Sequence, residues 1–171
     1  DPSSAAEYVA DLQAKIDEIG CGVIASLSGR YYAMDRDKRW ERVQKAYDAI
    51  AKGEGVAAED AVEAVKASYA NEVTDEFVVP VVVGDYKGIN EGDGVIFFNF
   101  RPDRARELTH AFTDTEFAGF PRKEAKLSFA TMTQYEEGLN VEVAYPPETI
   151  ENTLGQVIAK NGMTQLRIAE T

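Results

Sequence analysis

The chain has 171 residues, 44% of them hydrophobic and 10% aromatic, and a formal net charge of −12. That length and apolar share suit one packed domain, or one domain plus part of another, and argue against disorder. The acidic balance argues against nucleic acid and anionic membrane surfaces as partners, because both bind basic surfaces, and no apolar run reaches the roughly 18–20 residues of a membrane helix.

Asp1-Pro2-Ser3-Ser4 has neither the basic nor the apolar region of a signal peptide. Cys21 is the single cysteine, so no internal disulfide can form and a reducing, cytoplasmic setting is expected. No histidine lies near it in sequence, so it reads as a small buried hydrophobe at the start of a strand.

Ser4-Ala5-Ala6-Glu7 has capping-box spacing ahead of Tyr8, Val9, Leu12, Ile16 and Ile19 at helical intervals, and Gly20 stands where a glycine ends a helix. Residues 23–28 read as a short apolar strand closed by Gly29. Asp37 to Ala51 forms a second helix with Trp40, Val43, Tyr47 and Ile50 on one face, and Glu59 to Tyr69 a third. Phe77 to Val83 is strand-like, and Pro80 inside it predicts an edge or a bulge. Val95 to Phe100 has the composition of a central buried strand, and Pro102 to Phe112 follows as a helix with proline in its first turn.

Leu127 to Met132 is a further strand, reached through a polar connector at 121–126. Tyr145-Pro146-Pro147 reads as an extended hinge, followed by a helix over Asn152–Lys160, a stop at Gly162 and a strand over Gln165–Ala169. Strands alternating with helices predict an α/β fold: a three-layer sandwich of a central, largely parallel sheet with flanking helices.

Against the acidic background the arginines cluster. Arg30, Arg36, Arg39 and Arg42 fall within thirteen residues, and Arg101, Arg104 and Arg106 within six. Both clusters follow a strand exit, the edge of an α/β sheet where ligands sit. The guanidinium fork matches phosphate and carboxylate, so the two exits can converge on one small anion. Spacing alone also fits surface ion pairs, Arg36 with Asp35 or Asp37 and Arg104 with Asp103 or Glu107. Arg39, Arg42 and Arg106 read as a solvated helix face, and His110, the single histidine, as a structural mid-helix residue.

Residues 29–40, Gly-Arg-Tyr-Tyr-Ala-Met-Asp-Arg-Asp-Lys-Arg-Trp, and 96–105, Ile-Phe-Phe-Asn-Phe-Arg-Pro-Asp-Arg-Ala, closely resemble signature stretches of the cofactor-independent (2,3-bisphosphoglycerate-independent) phosphoglycerate mutases. Asp75-Glu76-Phe77-Val78, Asn152-Thr153-Leu154-Gly155 and the segment from Gln165 to Thr171 are similar to that family in the same order. The resemblance implies a two-domain, monomeric, cytoplasmic enzyme of glycolysis and gluconeogenesis that interconverts 3-phosphoglycerate and 2-phosphoglycerate. A phosphatase-like domain of the alkaline phosphatase superfamily holds two Mn²⁺ or similar ions and a serine that takes up the phosphoryl group; a transferase domain grips the glycerate. Carried over by motif, the substrate-binding residues are Arg30, Arg36, Arg101 and Arg104, with Arg101 expected at a helix start.

The family's serine, its metal-ligating Asp and His residues and its active-site lysine have no counterpart in this sequence, nor do its upstream histidine and Gly-Arg-Asp motif. The expectation is a fragment. Residues 1–145 would be most of the transferase domain, and 146–171 the hinge with the first helix and strand of the phosphatase-like domain. No catalytic set is complete and no metal ligand is assigned. The alternative is a stand-alone, non-catalytic anion-binding module. No Gly-x-Gly-x-x-Gly follows a strand, which sets aside a nucleotide-binding reading.

Overall fold

The computed structural model describes residues 1–123 and 125–168. Its elements run α1 (Ala5–Ile19), β1 (Ser26–Leu27), α2 (Arg30–Ala33), α3 (Trp40–Ala51), β2 (Val56–Ala58), α4 (Ala61–Ala70), a 3-10 turn (Asp75–Phe77) and β3 (Val81–Val83). They continue with β4 (Gly94–Phe97), α5 (Arg106–Thr113), β5 (Ser128–Thr133), β6 (Glu142–Tyr145) and α6 (Leu154–Lys160). The fold is α/β with mostly parallel pairing, as expected. The strands lie in two three-stranded sheets, β1-β3-β2 and β4-β5-β6, and only β1 with β3 is antiparallel.

The core forms where α3 meets α5. Val43, Tyr47 and Ala51 of α3 pack with Leu108 and Ala111 of α5 and with Ile89 and Phe120, so the helical periodicity of both segments becomes a shared interior. Tyr47 is buried, and its hydroxyl donates to the Lys123 carbonyl at 2.9 Å. The polar connector is therefore structural: Arg122 donates to the carbonyls of Ala111 (3.1 Å) and Asp114, supplying cations to the last turn of α5.

Several expectations are corrected. Gly20 does end α1 in the left-handed region at φ 72, but the Ser4–Glu7 box does not form. Asp75 caps the helix instead, accepting from Ser4 N–H at 3.0 Å and Ala5 N–H at 3.1 Å. The 23–28 segment is extended but pairs only at Ser26–Leu27, so Cys21 lies outside any strand and is exposed. Pro80 immediately precedes β3, which is the middle strand of its sheet rather than an edge; the proline leaves the ladder intact because it stands outside it.

β4 is an edge strand, not a central buried one. Side chains at alternate positions share a face, and here Ile96, Phe98 and Phe100 are 77%, 72% and 72% exposed. α5 begins at Arg106, so Arg101-Pro102-Asp103-Arg104 is a turn rather than a helix start. Beyond the prolines, Thr153 and Gln156 form a true capping box at α6. Gln165–Ile168 is irregular and pairs with no strand among the described residues; Ala169, the end of that predicted strand, lies outside them.

Candidate functional site

The first arginine segment is shaped by Gly29. Its N–H donates to Val78 O at 2.8 Å, and a β-carbon there would run into the Glu76 carbonyl and the Val78 nitrogen. Only glycine permits this approach. The chain then turns through α2, where Tyr31 packs on Phe77 at 5.3 Å and carries the Arg42 guanidinium over its ring at 3.8 Å. Arg42 is therefore a stacked, partly buried residue and not part of a solvated face.

The loop after α2 is built on Asp35. Its buried carboxylate accepts from the N–H of Asp37 (2.9 Å) and of Arg39 (3.0 Å), with the Arg39 guanidinium at 3.4 Å. Arg39 also pairs with Asp37 at 2.5 Å, so its charge is used within the loop. The second segment leaves β4 past Tyr135, a buried side chain whose hydroxyl lies 2.8 Å from Phe97 O and 2.7 Å from Asn99 O.

These two segments meet. Arg104 Nη1 donates to the Met34 carbonyl at 2.8 Å, and Arg36 Nη1 donates to Asp103 Oδ2 at 3.0 Å. Arg101 Nε stands 2.9 Å from Asp103 Oδ1 in an ion pair whose N–H is not aligned for a hydrogen bond. Burial opposes ionisation of Asp103, but Arg36 and Arg101 outweigh it and hold the carboxyl below the usual range. Each guanidinium has five N–H donors, so one carboxylate orients both and leaves donors free; the Arg101 side chain is 81% exposed.

The structure thus brings Arg36, Arg101 and Arg104 together around Asp103 and Met34. The predicted local pairs, Arg36 with Asp35 or Asp37 and Arg104 with Asp103 or Glu107, are replaced by contacts between segments. Arg30 is placed differently. Its Nε is 4.0 Å from Glu76, and it borders a hollow formed by Asp1, Pro2, Thr74, Asp75 and Glu76.

A larger hollow of about 550 Å³ opens beside the Asp103 cluster, bordered by Arg36, Lys38, Asp103, Arg106, Glu107 and His110. Sequence reasoning left Arg106 and His110 out of the site. Arg106 Nε donates to Tyr135 O at 2.7 Å, and His110 Nδ1 lies 2.8 Å from Asp114 with Nε2 3.4 Å from Glu136. Their spacing, one helical turn apart on an amphipathic helix, was the signal available. Among the described residues no group of three His, Cys, Asp or Glu side chains is placed to hold a metal ion. No described helix is long and apolar enough to cross a membrane.

Residues 1–137 match the family described as the BPG-independent PGAM N-terminus, and the chain belongs to that family. It is 58% identical to the 2,3-bisphosphoglycerate-independent phosphoglycerate mutase of Clostridium botulinum (strain Langeland), over 99% of this chain and 34% of that protein. The enzyme of the same name from Clostridium perfringens (strain 13) is 55% identical with the same coverage. The Staphylococcus haemolyticus one is 52% identical, over 100% of this chain and 34% of that protein. Among solved structures, the Leishmania mexicana phosphoglycerate mutase determined at low cobalt concentration superposes with a TM-score of 0.79 at 30% identity, covering 93% of this chain and 32% of that one. The chain spans about a third of the length of the curated relatives it matches.

Proposed function

We propose that this chain is the substrate-gripping part of a phosphoglycerate mutase that interconverts 3-phosphoglycerate and 2-phosphoglycerate through a phosphoserine, in glycolysis and gluconeogenesis. The observation that carries the proposal is Asp103, whose carboxylate faces both Arg101 of its own turn and Arg36, 67 residues before it in the chain. A surface pair needs one acid and one base. Two guanidiniums held by one carboxylate keep surplus positive charge and unused donors for a dianion.

On this reading residues 1–145 form the transferase domain, and 146–171 the hinge and the beginning of a phosphatase-like domain that supplies the serine and two Mn²⁺ or similar ions. This chain's described residues offer no fitting ligand set for those ions, so none of its steps runs through them. Its own work is to bind and orient. Arg101 and Arg36 offer donors to the phosphoryl group and the glycerate carboxylate. Arg104, committed to Met34 O, fixes the separation of the two segments. Arg30, paired only loosely with Glu76 beside a separate hollow, keeps donors free for the same anion. The setting is cytoplasmic and the substrate a small molecule.

Calorimetric titration with 3-phosphoglycerate tests the reading. Binding in the millimolar range, about −4 kcal/mol, is expected for the chain and is lost in Arg36→Ala. If the chain binds nothing, and Arg36→Ala and Arg101→Ala leave KM unchanged in a full-length enzyme carrying this segment, the proposal fails.

A further inference from the structure

Two carboxyl groups are buried behind Arg36: Asp35 is 5% exposed and Glu107 is 7% exposed. Asp35 belongs to the loop between α2 and α3, and Glu107 to the first turn of α5, directly after the second arginine segment. A buried carboxylate must be compensated. Asp35 is, by the amides of Asp37 and Arg39 and by the Arg39 and Arg42 guanidiniums.

Glu107 is compensated on one side only. Its Oε1 accepts from Lys38 N–H at 2.8 Å. Its Oε2 is buried with no partner among the described residues, and the nearby charge of Asp35 acts on the group. Lys38 itself adopts φ 58, a left-handed conformation that strains a residue with a side chain. The Glu107 bond is thus what reaches across from α5 to hold the strained residue of the loop that presents Arg36.

We propose that Glu107 is a positioning residue for the anion grip: it clamps the Asp35–Arg39 loop through the Lys38 amide, and so sets the direction in which Arg36 presents its guanidinium. The inference rests on the phosphoglycerate reading only for what Arg36 binds. Two neighbouring buried carboxyls disfavour each other's ionisation. Burial raises the Glu107 carboxyl, the Lys38 amide partly offsets that, and the charges of Asp35 and Asp37 raise it further. Burial works against Asp35 too, but its bonds to Arg39, Asp37 and Glu107 hold it below the usual range. Of the two acids, Glu107 is therefore the one that keeps its proton to the higher pH. Besides these acids, Arg36, Lys38 and His110 border the same hollow. As pH rises past the raised value, the proton leaves, the carboxylates repel and the loop loosens.

The test is steady-state kinetics of a full-length phosphoglycerate mutase carrying this segment. Glu107→Leu is expected to raise KM for 3-phosphoglycerate about tenfold with kcat within about threefold of the parent. Glu107→Gln, which can accept from Lys38 N–H without carrying a charge, is expected to restore KM to within about threefold. It is also expected to remove the rise of KM on the alkaline side. Combined with Arg36→Ala, Glu107→Leu should add nothing. Additive losses, a fall in kcat at constant KM, or a Gln variant no better than Leu would overturn the inference. Arg36→Ala with unchanged KM would instead overturn the phosphoglycerate reading, whereas a raised KM in Arg36→Ala beside an unchanged one in Glu107→Leu overturns this inference alone. Should Glu107→Leu not fold, the Lys38 amide decides by NMR. Its shift must titrate with a carboxyl above the usual glutamate range and cease to do so in Glu107→Gln; an amide that titrates identically in both sinks the clamp.

Discussion

Arg36 Nη1 meets Asp103 Oδ2 at 3.0 Å, joining the loop after α2 to the turn before α5. Removing the acid frees both arginines from their shared anchor. Asp103→Ala is expected to weaken 3-phosphoglycerate binding about fivefold to tenfold while leaving the urea midpoint nearly unchanged, since the Arg36 partner is half exposed. Calorimetry and urea titration of the same sample separate the two effects, and equal affinity in both proteins would remove Asp103 from the site.

Arg101 and Arg39 are both exposed arginines, but their charges are spent differently. Arg39 is consumed by Asp35 and Asp37, whereas Arg101 has a single, misaligned partner. Arg101→Ala should therefore abolish measurable binding of 3-phosphoglycerate, with Arg39→Ala costing less than about threefold. Comparable losses in the two variants would contradict the assignment.

Gly29 is required by close approach rather than by an unusual dihedral angle. Gly29→Ala forces a β-carbon against the backbone at 76–78 and should destabilise the fold by about 1–3 kcal/mol. Gly94→Ala, where a β-carbon meets open space, is the control and should change stability by less than about 0.5 kcal/mol in the same denaturation series.

Tyr135→Phe removes a buried hydroxyl that serves two carbonyls of the β4 exit. The phenol carries one proton, shared between the two acceptors, and its loss should cost about 1–3 kcal/mol. Thermal denaturation with a Tm unchanged from the parent would show that water replaces the hydroxyl there.

The α1 cap is expected to be acid-labile. Burial disfavours the Asp75 carboxylate, but the Tyr69 hydroxyl and the amides of Ser4 and Ala5 outweigh it and hold the group below the usual range. A depressed carboxyl stabilises the fold above its unfolded-state value, and that contribution fades as pH falls through the folded one. Hydrogen exchange at α1 should accelerate in acid before exchange in α3 does, and Asp75→Asn should remove that pH dependence.

Much of the fold was legible in the chain. α1, α3 and α4 follow their apolar periodicity, and the Gly20 stop is a local signal that tertiary structure did not override. What was not legible depends on neighbours. The run from Val95 to Phe100 is equally apolar whether its strand is central or, as here, at an edge. Ser4 and Glu7 had the spacing of a cap, yet Asp75, remote in sequence, supplies it. The arginine motifs pointed to an anion site, but no spacing rule separates Arg36, turned to Asp103, from Arg30, turned to Glu76. Glu107 was invisible as a site residue because its role arises only once α5 docks under the Asp35 loop.

The bond from Arg104 to the Met34 carbonyl spans 70 residues. Loop closure over that distance is among the slower events of folding, because its entropy must be met before any contact repays it. Local helices such as α1 and α3 can therefore be complete while the two arginine turns are still unjoined. On the proposed reading, affinity for the anion would for that reason be a late-appearing property of this chain, and a ligand that joins the two turns would act as a fastener on the finished topology rather than as a nucleus for it.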